Sequence, residues 1–596
     1  MWTYEPPLRD MQFVVEELIG APTRWSSMPA FEDVDVDTAR RIVEEAGKFA
    51  SEVLAPTNQN GDLEGCSYDA GVVSTPAGFR EAYAAFVEAG WPALACDPEV
   101  GGQGLPQLLN AALYEMLCSS NHAWSMYPAL LQGAYDCLHA HASDELKRVY
   151  LGKVVSGEWL STMCMTEAHA GSDLGMLRTR AEPAADGSFA LRGTKIFISG
   201  GEHDLTENIV HLVLARLLEA PPGTRGLSLF LVPKRIPVDG GFVANAVRCD
   251  SIEKKMGIKG SATCVISFDG ATGWLIGEPN RGLAAMFVMM NASRLHVGLQ
   301  GLGHAEAAYQ NALRYANERL QMRAVVRPGD NASTDAKPAT PADPIAWHPA
   351  VRRVLWTLRA RLEGSRVLAY ESAHLLDLVA HAADPAQREQ AADLVSLLTP
   401  VIKSFMTENG FVSASAALQL YGGHGYVHDY GIEQCVRDSR IAMIYEGTNE
   451  IQAIDLLVRK VLPDGGKKMF GLLDWLEAGL QGLATTHRAA ALNAIGNLRG
   501  VTERLADGAR DDAERGLRVA SDYLTLVALT VLAQGWAKAD AVAAAALDGG
   551  ASDESFYLAK RDTANHFFGF VLPEAAMRLQ LIDTAASQPL PFVATT

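Results

Sequence analysis

The sequence predicts a mainly α-helical protein with a β domain in its middle. Three observations carry this. Apolar residues recur at helical spacing from 36 to 156, the texture changes to β-branched runs between turn residues from 157 to 282, and long helical patterns return after 282. At 596 residues the chain exceeds what one hydrophobic core organises, so several domains are expected. A content of 48% hydrophobic and 20% charged residues is that of a globular protein folded nearly throughout.

Residues 1–35 read as an N-terminal arm. Its opening, MWTYEPPLRDMQF, has acidic residues and prolines where an export signal needs a basic start and an apolar run, so a cytoplasmic location is expected. In 36–156, Ile42, Val43, Ala46, Phe49, Ala50, Val53 and Leu54 mark one helical face of a helical domain. In 157–282, FALRGTKIFISGG, ENIVHLVLARL, GLSLFLVPK and TCVISFDG read as strands of a small barrel or sandwich.

Residues 283–463 return to helix, as in SRLHVGLQGLGHAEAAYQNALRYANERLQ and again over 348–382 and 387–421. Between these, 325–346 is rich in Pro, Asp and Ala without periodicity and is expected to be an exposed excursion. An additional helical domain, 464–596, runs to about Ala586 before the tail PLPFVATT. Its most apolar stretch, Leu524 to Leu532, is about half of the roughly 20 residues that span a bilayer, and reads as a buried helix. No stable membrane insertion is expected.

A net charge of −19 disfavours nucleic acid and anionic membranes as main partners, because both are polyanions. The eight cysteines are scattered, without C-x-x-C pairs or zinc-like spacing, and read as reduced core residues. No metal site is expected. His424 and His428 are four apart, but GGHGYVHDYG is too glycine-rich for the helix that would make them ligands. GGQGLP at Gly101 and GGHGY at Gly422 lack the strand, helix and acidic partner of a dinucleotide fingerprint. Glu167, Asp173 and Glu202 read as caps or turn acceptors.

Two blocks carry chemistry. The segment QLYGGHGYVHDYGIEQCVRDSRIAMIYEGTNEIQ, Gln419 to Gln452, resembles the signature of the acyl-CoA dehydrogenase family. MCMTEAHAGSD, Met163 to Asp173, with KIFISGG from Lys195, resembles that family's flavin-binding strands. The helix, sheet, helix order is also the family's, over roughly residues 36 to 460. The opening YEPPLRDMQF, the loop GGEHDLTENI and the long helical tail resemble bacterial members lengthened at both ends. That subgroup includes enzymes for fatty acyl-CoA and for methylthiopropanoyl-CoA, which leaves the acyl group open.

The resemblance implies FAD as cofactor and an acyl-CoA thioester as substrate. An α-proton beside a thioester is too weakly acidic for a free carboxylate to remove quickly. A base in an apolar pocket, donors on the carbonyl oxygen and a hydride acceptor must act together. Glu446 in IYEGTNEIQ matches the family's catalytic base, with its backbone N–H and Gly447 close to the thioester. Members that carry the base on an earlier helix do so at the stretch that here reads Asn291, Ala292, Ser293, Arg294, where no carboxylate occurs. Glu446 thus has no competitor as base, and by the same resemblance Asn291 and Arg294 are expected beside the substrate.

For the flavin, the resemblance implies Met165 and Thr166 against the ring, and Gly171 and Ser172 at the pyrophosphate, Ser172 also reaching substrate. Phe197 and Ser199 fall at alternate strand positions, hence on one face, where the family sets an aromatic residue and Thr against the flavin. Arg319 and Gln321 resemble residues reaching the FAD of a neighbouring subunit, with Gln419, Gly422 and Gly423 completing that contact. Met322 stands where Gly or Phe is commoner. Thr448 and Glu450 lie on the flavin side of the base loop.

The implied reaction is dehydrogenation to the trans-2-enoyl-CoA, as in fatty acid β-oxidation, with electrons leaving through an electron-transferring flavoprotein. A homodimer is expected over a tetramer, with the added helices replacing a second subunit pair. Two alternatives stand beside this. An acyl-CoA oxidase of similar length would reoxidise the flavin with oxygen; the closing VATT lacks a peroxisomal signal, which favours the dehydrogenase. A DNA-associated, non-enzymatic cousin would need a basic late surface, and the section after Gly465 is mildly acidic.

Overall fold

Contacts along the chain gather into two units, one of Glu45–His296 and one of Met1–Glu44 with Val297–Thr596. The computed structural model describes residues 2–328, 341–508, 512 and 514–593. Central residues of the apolar runs lie in buried helices and strands, as the periodicity predicts.

The unit of residues 45–296 starts with helices. α1 (Phe79–Glu88) and α2 (Gln107–Ser125) meet around Trp124, which is fully buried between Phe49 and Phe86 and donates Nε1–H to the Phe79 carbonyl at 3.1 Å. Helix α2 breaks at Asn121 (φ −159°, ψ 93°), whose Oδ1 accepts the Trp124 N–H at 3.0 Å and so replaces a lost helical acceptor. α3 (Leu131–His141) follows.

Seven strands of one sheet come next: β1 (Leu160–Cys164), β2 (Arg180–Pro183), β3 (Phe189–Ser199), β4 (Ile209–Leu217), β5 (Leu227–Pro233), β6 (Val247–Ile252) and β7 (Thr263–Ile276). Their order is β6-β7-β3-β2-β4-β1, with β5 pairing both β7 and β4. Five strands thus close a ring, β7-β3-β2-β4-β5, so the expected β domain is a barrel with β6 and β1 added outside it. Closure depends on the 14-residue β7, which pairs β3 along its first part and β5 at Trp274–Ile276. Two register shifts against β3 bend it. β5 is buried at all seven positions, the pattern of a strand covered on both faces.

A 37-residue helix, α4 (Gly282–Glu318), leads on. The other unit contains α5 (Pro349–His381), α6 (Pro385–Val401), α7 (Thr407–Tyr421), α8 (Ile432–Ser439) and α9 (Asn449–Ile454). It also holds the terminal helices α10 (Lys467–Ala478), α11 (Arg488–Gly508), α12 (Arg515–Asp548), α13 (Glu554–His566) and α14 (Glu574–Ser587). The N-terminal arm belongs to this unit, and it docks on α13. Lys560, 2% exposed, lies between Asp10 and Glu363, and Arg9 reaches Asp553 and the Tyr557 hydroxyl.

The apolar stretch Leu524–Leu532 lies within α12, as expected of a buried helix, but the helix is far longer than the stretch. By length and composition α12 could cross a membrane; 72% of its apolar window is buried inside the fold, and Trp536 donates to the Ala360 carbonyl of α5 at 3.0 Å. All eight cysteines are unpaired; seven are buried and Cys66 is half-buried.

One expectation needs correcting. Of the excursion 325–346, residues 329–340 lie outside the described residues. Val325 and Val326 are exposed as expected, yet Asp343 is only 3% exposed. Its carboxylate accepts the Ala324 N–H at 2.9 Å and pairs with Arg327 at 3.0 Å and Arg323 at 3.3 Å. A carboxylate with three donors can be buried where composition alone predicts exposure.

Candidate functional site

Glu446 sits where the chain leaves a 3-10 turn (Arg440–Met443) and enters α9. Thr448 is the N-cap of α9, its hydroxyl accepting the Ile451 N–H at 3.4 Å, so Glu446 precedes the helix rather than starting it. Glu446 has φ +55° and Gly447 φ +82°, two successive left-handed residues. For a residue with a Cβ this conformation costs about 1–2 kcal/mol, so surrounding contacts must hold it. A Cβ at position 447 would lie 2.6 Å from Gln452 Nε2, so glycine is needed there for space as well as for φ.

Those contacts are buried polar groups. Gln452 Nε2 donates to the Glu446 carbonyl at 2.9 Å, and Lys403 Nζ donates to the Gly447 carbonyl at 2.6 Å and to Asn449 Oδ1 at 3.1 Å. Lys403 and Gln452 are both fully buried. Tyr445 donates its hydroxyl hydrogen bond to Gln300 Oε1 on α4. Glu446 is half-buried and Glu450 exposed. Sequence reasoning missed Lys403 and Gln452. The readable signal for the first was one lysine within the apolar run PVIKSFM.

In the same unit, Arg319 and Gln321 follow the end of α4 and are exposed. Their turn is pinned by backbone bonds to the buried Asp343 segment: Gln321 N–H to the Asp343 carbonyl (3.0 Å), Asp343 N–H to Met322 (2.9 Å) and Ile345 N–H to Arg319 (2.8 Å). Met322 at the bend has φ +59°, which explains why glycine is at home there. One turn before Arg319, Tyr315 stacks on Tyr421 with centroids 4.0 Å apart and bonds His424 Nδ1 at 2.8 Å. This draws the end of α4 to Gln419, Gly422 and Gly423, all exposed, although a hundred residues separate them in sequence. The GGHGYVHDYG segment forms two 3-10 turns; His424 stacks on Tyr430, and His428 pairs with Glu433.

In the unit of residues 45–296, the flavin-strand block forms the end of β1 and the turn after it. The Thr166 carbonyl accepts the Ile196 N–H at 2.9 Å, placing Met165 and Thr166, both half-buried, beside β3. Glu167 is a turn acceptor, as expected: it takes the N–H groups of Arg178 and Thr179 and the Thr179 hydroxyl, and pairs with buried Lys195 at 2.9 Å. Burial alone would push its carboxyl up, but the Lys195 charge and these donors hold it at about 2. Lys195 also donates to the Met165 carbonyl at 2.9 Å, tying β1 to β3. Asp173 caps a short turn by accepting from Gly175, and Glu202 pairs with Lys234.

Phe197 is 59% exposed at φ +61°. It lies in a bulge, where Ile196 and Phe197 of β3 oppose the single Val265 of β7. The bulge breaks simple alternation, since Lys195 and Ile198, three apart, are both buried. Ser199 is half-buried opposite Thr263, while Gly171 and Ser172 are exposed in the following loop. An exposed aromatic ring one residue from the Ile196–Thr166 bond, with a hydroxyl-bearing glycine loop nearby in sequence, fits a planar heterocycle carrying an anionic tail. Arg294 is 6% exposed, mid-helix in α4, donates to Asn291 Oδ1 at 3.3 Å and lies 6.0 Å from the Phe287 ring. It is not a surface arginine. A cavity of about 460 Å³ bounded by Cys66, Lys254, Lys259 and Ser261 contains none of the predicted residues.

Fold and residues together define a flavoenzyme architecture of helix, barrel and helix. The family's domains match in order: acyl-CoA dehydrogenase N-terminal domain over 37–158, middle domain over 162–271, C-terminal domain over 335–461 and an acetyl-CoA dehydrogenase C-terminal-like domain over 473–590. The chain is 41% identical to 3-methylmercaptopropionyl-CoA dehydrogenase of Ruegeria pomeroyi over 98% of its length and 99% of that protein's. It is 34% identical to the broad-specificity linear acyl-CoA dehydrogenase FadE5 of Mycobacterium tuberculosis, over 98% and 97%. The solved structure of Caenorhabditis elegans ACDH-11 in complex with C11-CoA has the same fold, with TM-score 0.74 at 20% identity over 95% of this chain and 91% of that one. An acyl-CoA dehydrogenase complexed with FAD from Bacillus anthracis gives 0.71 at 19%, over 94% and 90%. The chain belongs to the acyl-CoA dehydrogenase family.

Proposed function

We propose that this protein removes two hydrogens from the α and β carbons of an acyl-CoA thioester, giving the trans-2-enoyl-CoA, with Glu446 as the base. The observation carrying this is the left-handed Glu446–Gly447 turn, held by buried donors inside the family's signature segment. A carboxylate on a conformationally fixed turn is presented in one geometry, which proton transfer at carbon requires.

FAD is the cofactor in this reading. When bound, it supplies the acceptor for the β-hydride. Met165, Thr166, Phe197 and Ser199 would meet its ring, and Gly171 and Ser172 its pyrophosphate. Arg319, Gln321, Gln419, Gly422 and Gly423 form an exposed surface suited to the FAD of a second subunit, the guanidinium meeting phosphate oxygens. Glu446 takes the α-proton at its carboxylate. By the family resemblance, the N–H of the same residue and the Gly447 segment would bind the thioester, and Asn291 and Arg294 would serve the substrate. Electrons then pass to an electron-transferring flavoprotein, and the functional assembly is a homodimer.

The relatives' names set the acyl panel: a short sulfur-containing thioester beside linear chains of several lengths. The purified yellow protein is mixed anaerobically with each, and loss of flavin absorbance is recorded. Glu446→Gln is expected to keep FAD and CoA-ester binding and to lose bleaching, because an amide cannot accept the proton. Bleaching of that variant at the parent rate refutes the base assignment. Admitting air after reduction separates a dehydrogenase from an oxidase, which would recover its absorbance at once.

A further inference from the structure

Why should a lysine be completely buried under the turn that carries Glu446? Lys403 lies in a π-helical turn, Ile402–Met406, between α6 and α7. A widened turn of this kind offsets the side chains that follow, and such turns recur at functional sites. Here it brings two adjacent residues and one from the next turn to bear on one loop. Lys403 Nζ donates to the Gly447 carbonyl, the Ser404 carbonyl accepts the Asn449 amide at 3.1 Å, and the Thr407 hydroxyl lies 3.2 Å from Asn449 Oδ1. From the other side Gln452, one turn into α9, donates to the Glu446 carbonyl.

The two successive left-handed residues turn the carbonyls of 446 and 447 inward, toward groups that only donate at those contacts. Neither carbonyl can turn back without costing Lys403 or Gln452 Nε2 a hydrogen bond in a fully buried place, which favours one arrangement of the turn. Resting on the assignment of Glu446 as base, we propose that Lys403 and Gln452 are positioning residues for the reaction. They clamp the two carbonyls and thereby fix where the Glu446 carboxylate and N–H stand. Both act through the backbone. Neither touches the reacting atoms in this assignment.

The test uses holoenzyme variants Lys403→Met and Gln452→Met, which keep side-chain length without the donor. Both are screened for FAD content and melting temperature, then for enoyl-CoA affinity and the anaerobic rate of flavin reduction. A displaced base slows proton removal far more than binding, since misplacement of about 1 Å costs on the order of 100-fold. The expected result is a 10- to 100-fold slower reduction with enoyl-CoA affinity within about threefold. The isotope effect from α-deuterated substrate should also rise, a change that general loosening of the fold would not produce.

If Lys403→Met does not fold, Gln452→Met alone decides, because it removes only the bond to the Glu446 carbonyl. Parental rate and isotope effect in the folded variants, with Glu446→Gln inactive, overturn the positioning role and leave the base intact. Parental bleaching by Glu446→Gln overturns the base assignment first.

Discussion

Replacing Lys560 by Met tests how the N-terminal arm is held. The ammonium is 3% exposed, contacts Glu363 at 2.7 Å and Asp10, and sits 4.8 Å from the Phe556 ring and 5.3 Å from Phe13. Met fills similar volume without charge, so the loss is electrostatic. Glu363 retains Arg359 at 2.6 Å, whereas Asp10 loses the cation that offsets its burial and holds its carboxyl low. Breaking one member of a buried ion cluster costs about 3–5 kcal/mol. For a unit of roughly 340 residues, an unfolding entropy of about 2.1 cal/mol/K per residue converts this to a fall in Tm of about 4–7 °C. Differential scanning calorimetry at pH 7 reads it. Adding Asp10→Asn should recover most of the loss, because the stranded carboxylate is then gone. A single variant melting within 1 °C of the parent, or a double variant that recovers nothing, refutes the reasoning.

Arg319→Ala should weaken FAD retention without slowing reduction of the flavin that remains; full occupancy after prolonged dialysis would argue against the exposed surface at the end of α4 as a flavin contact. Asp343→Asn should give a milder version of the same loss, since its backbone still pins the Arg319 turn while its ion pairs to Arg323 and Arg327 go; retention equal to the parent would show those pairs to be dispensable. Burial, with the Lys234 charge nearby, holds His203 and His211 down to about 3. Their unfolded value is about 6.5, so stability is complete above that and is lost as pH falls toward 3, by about 2 kcal/mol per histidine at pH 5. His211→Asn should flatten the fall between pH 6.5 and 5 in denaturant titrations, and an unchanged slope would exclude His211 as a source.

Most of the architecture was legible because period and texture reflect burial directly. The strands ENIVHLVLARL and GLSLFLVPK are buried along nearly their whole length, as their unbroken apolar runs predict. The signature block was legible because its residue types are bound to a geometry: glycine at 447 has both the positive φ and the missing Cβ that the turn demands. What escaped was long-range polar pairing. Asp343 falls in a segment that composition reads as an exposed excursion, yet three donors bury it, and Lys403, which sequence reasoning did not single out, lies beneath a loop 44 residues away. Composition records that a group is charged, but only topology decides which partner makes its burial tolerable. The bulge at Phe197 was hidden for a related reason, since one extra residue on β3 is defined only relative to β7.

The distribution of sulfur gives the molecule an internal reporter. Cys435 is the single thiol of the unit formed by 1–44 and 297–596, while the other seven lie within 45–296. Burial raises Cys118, Cys137, Cys164 and Cys435 to about 12, so none is nucleophilic while folded. Alkylation followed by peptide mass analysis would therefore time the opening of each half separately, in the native chain and with no engineered label.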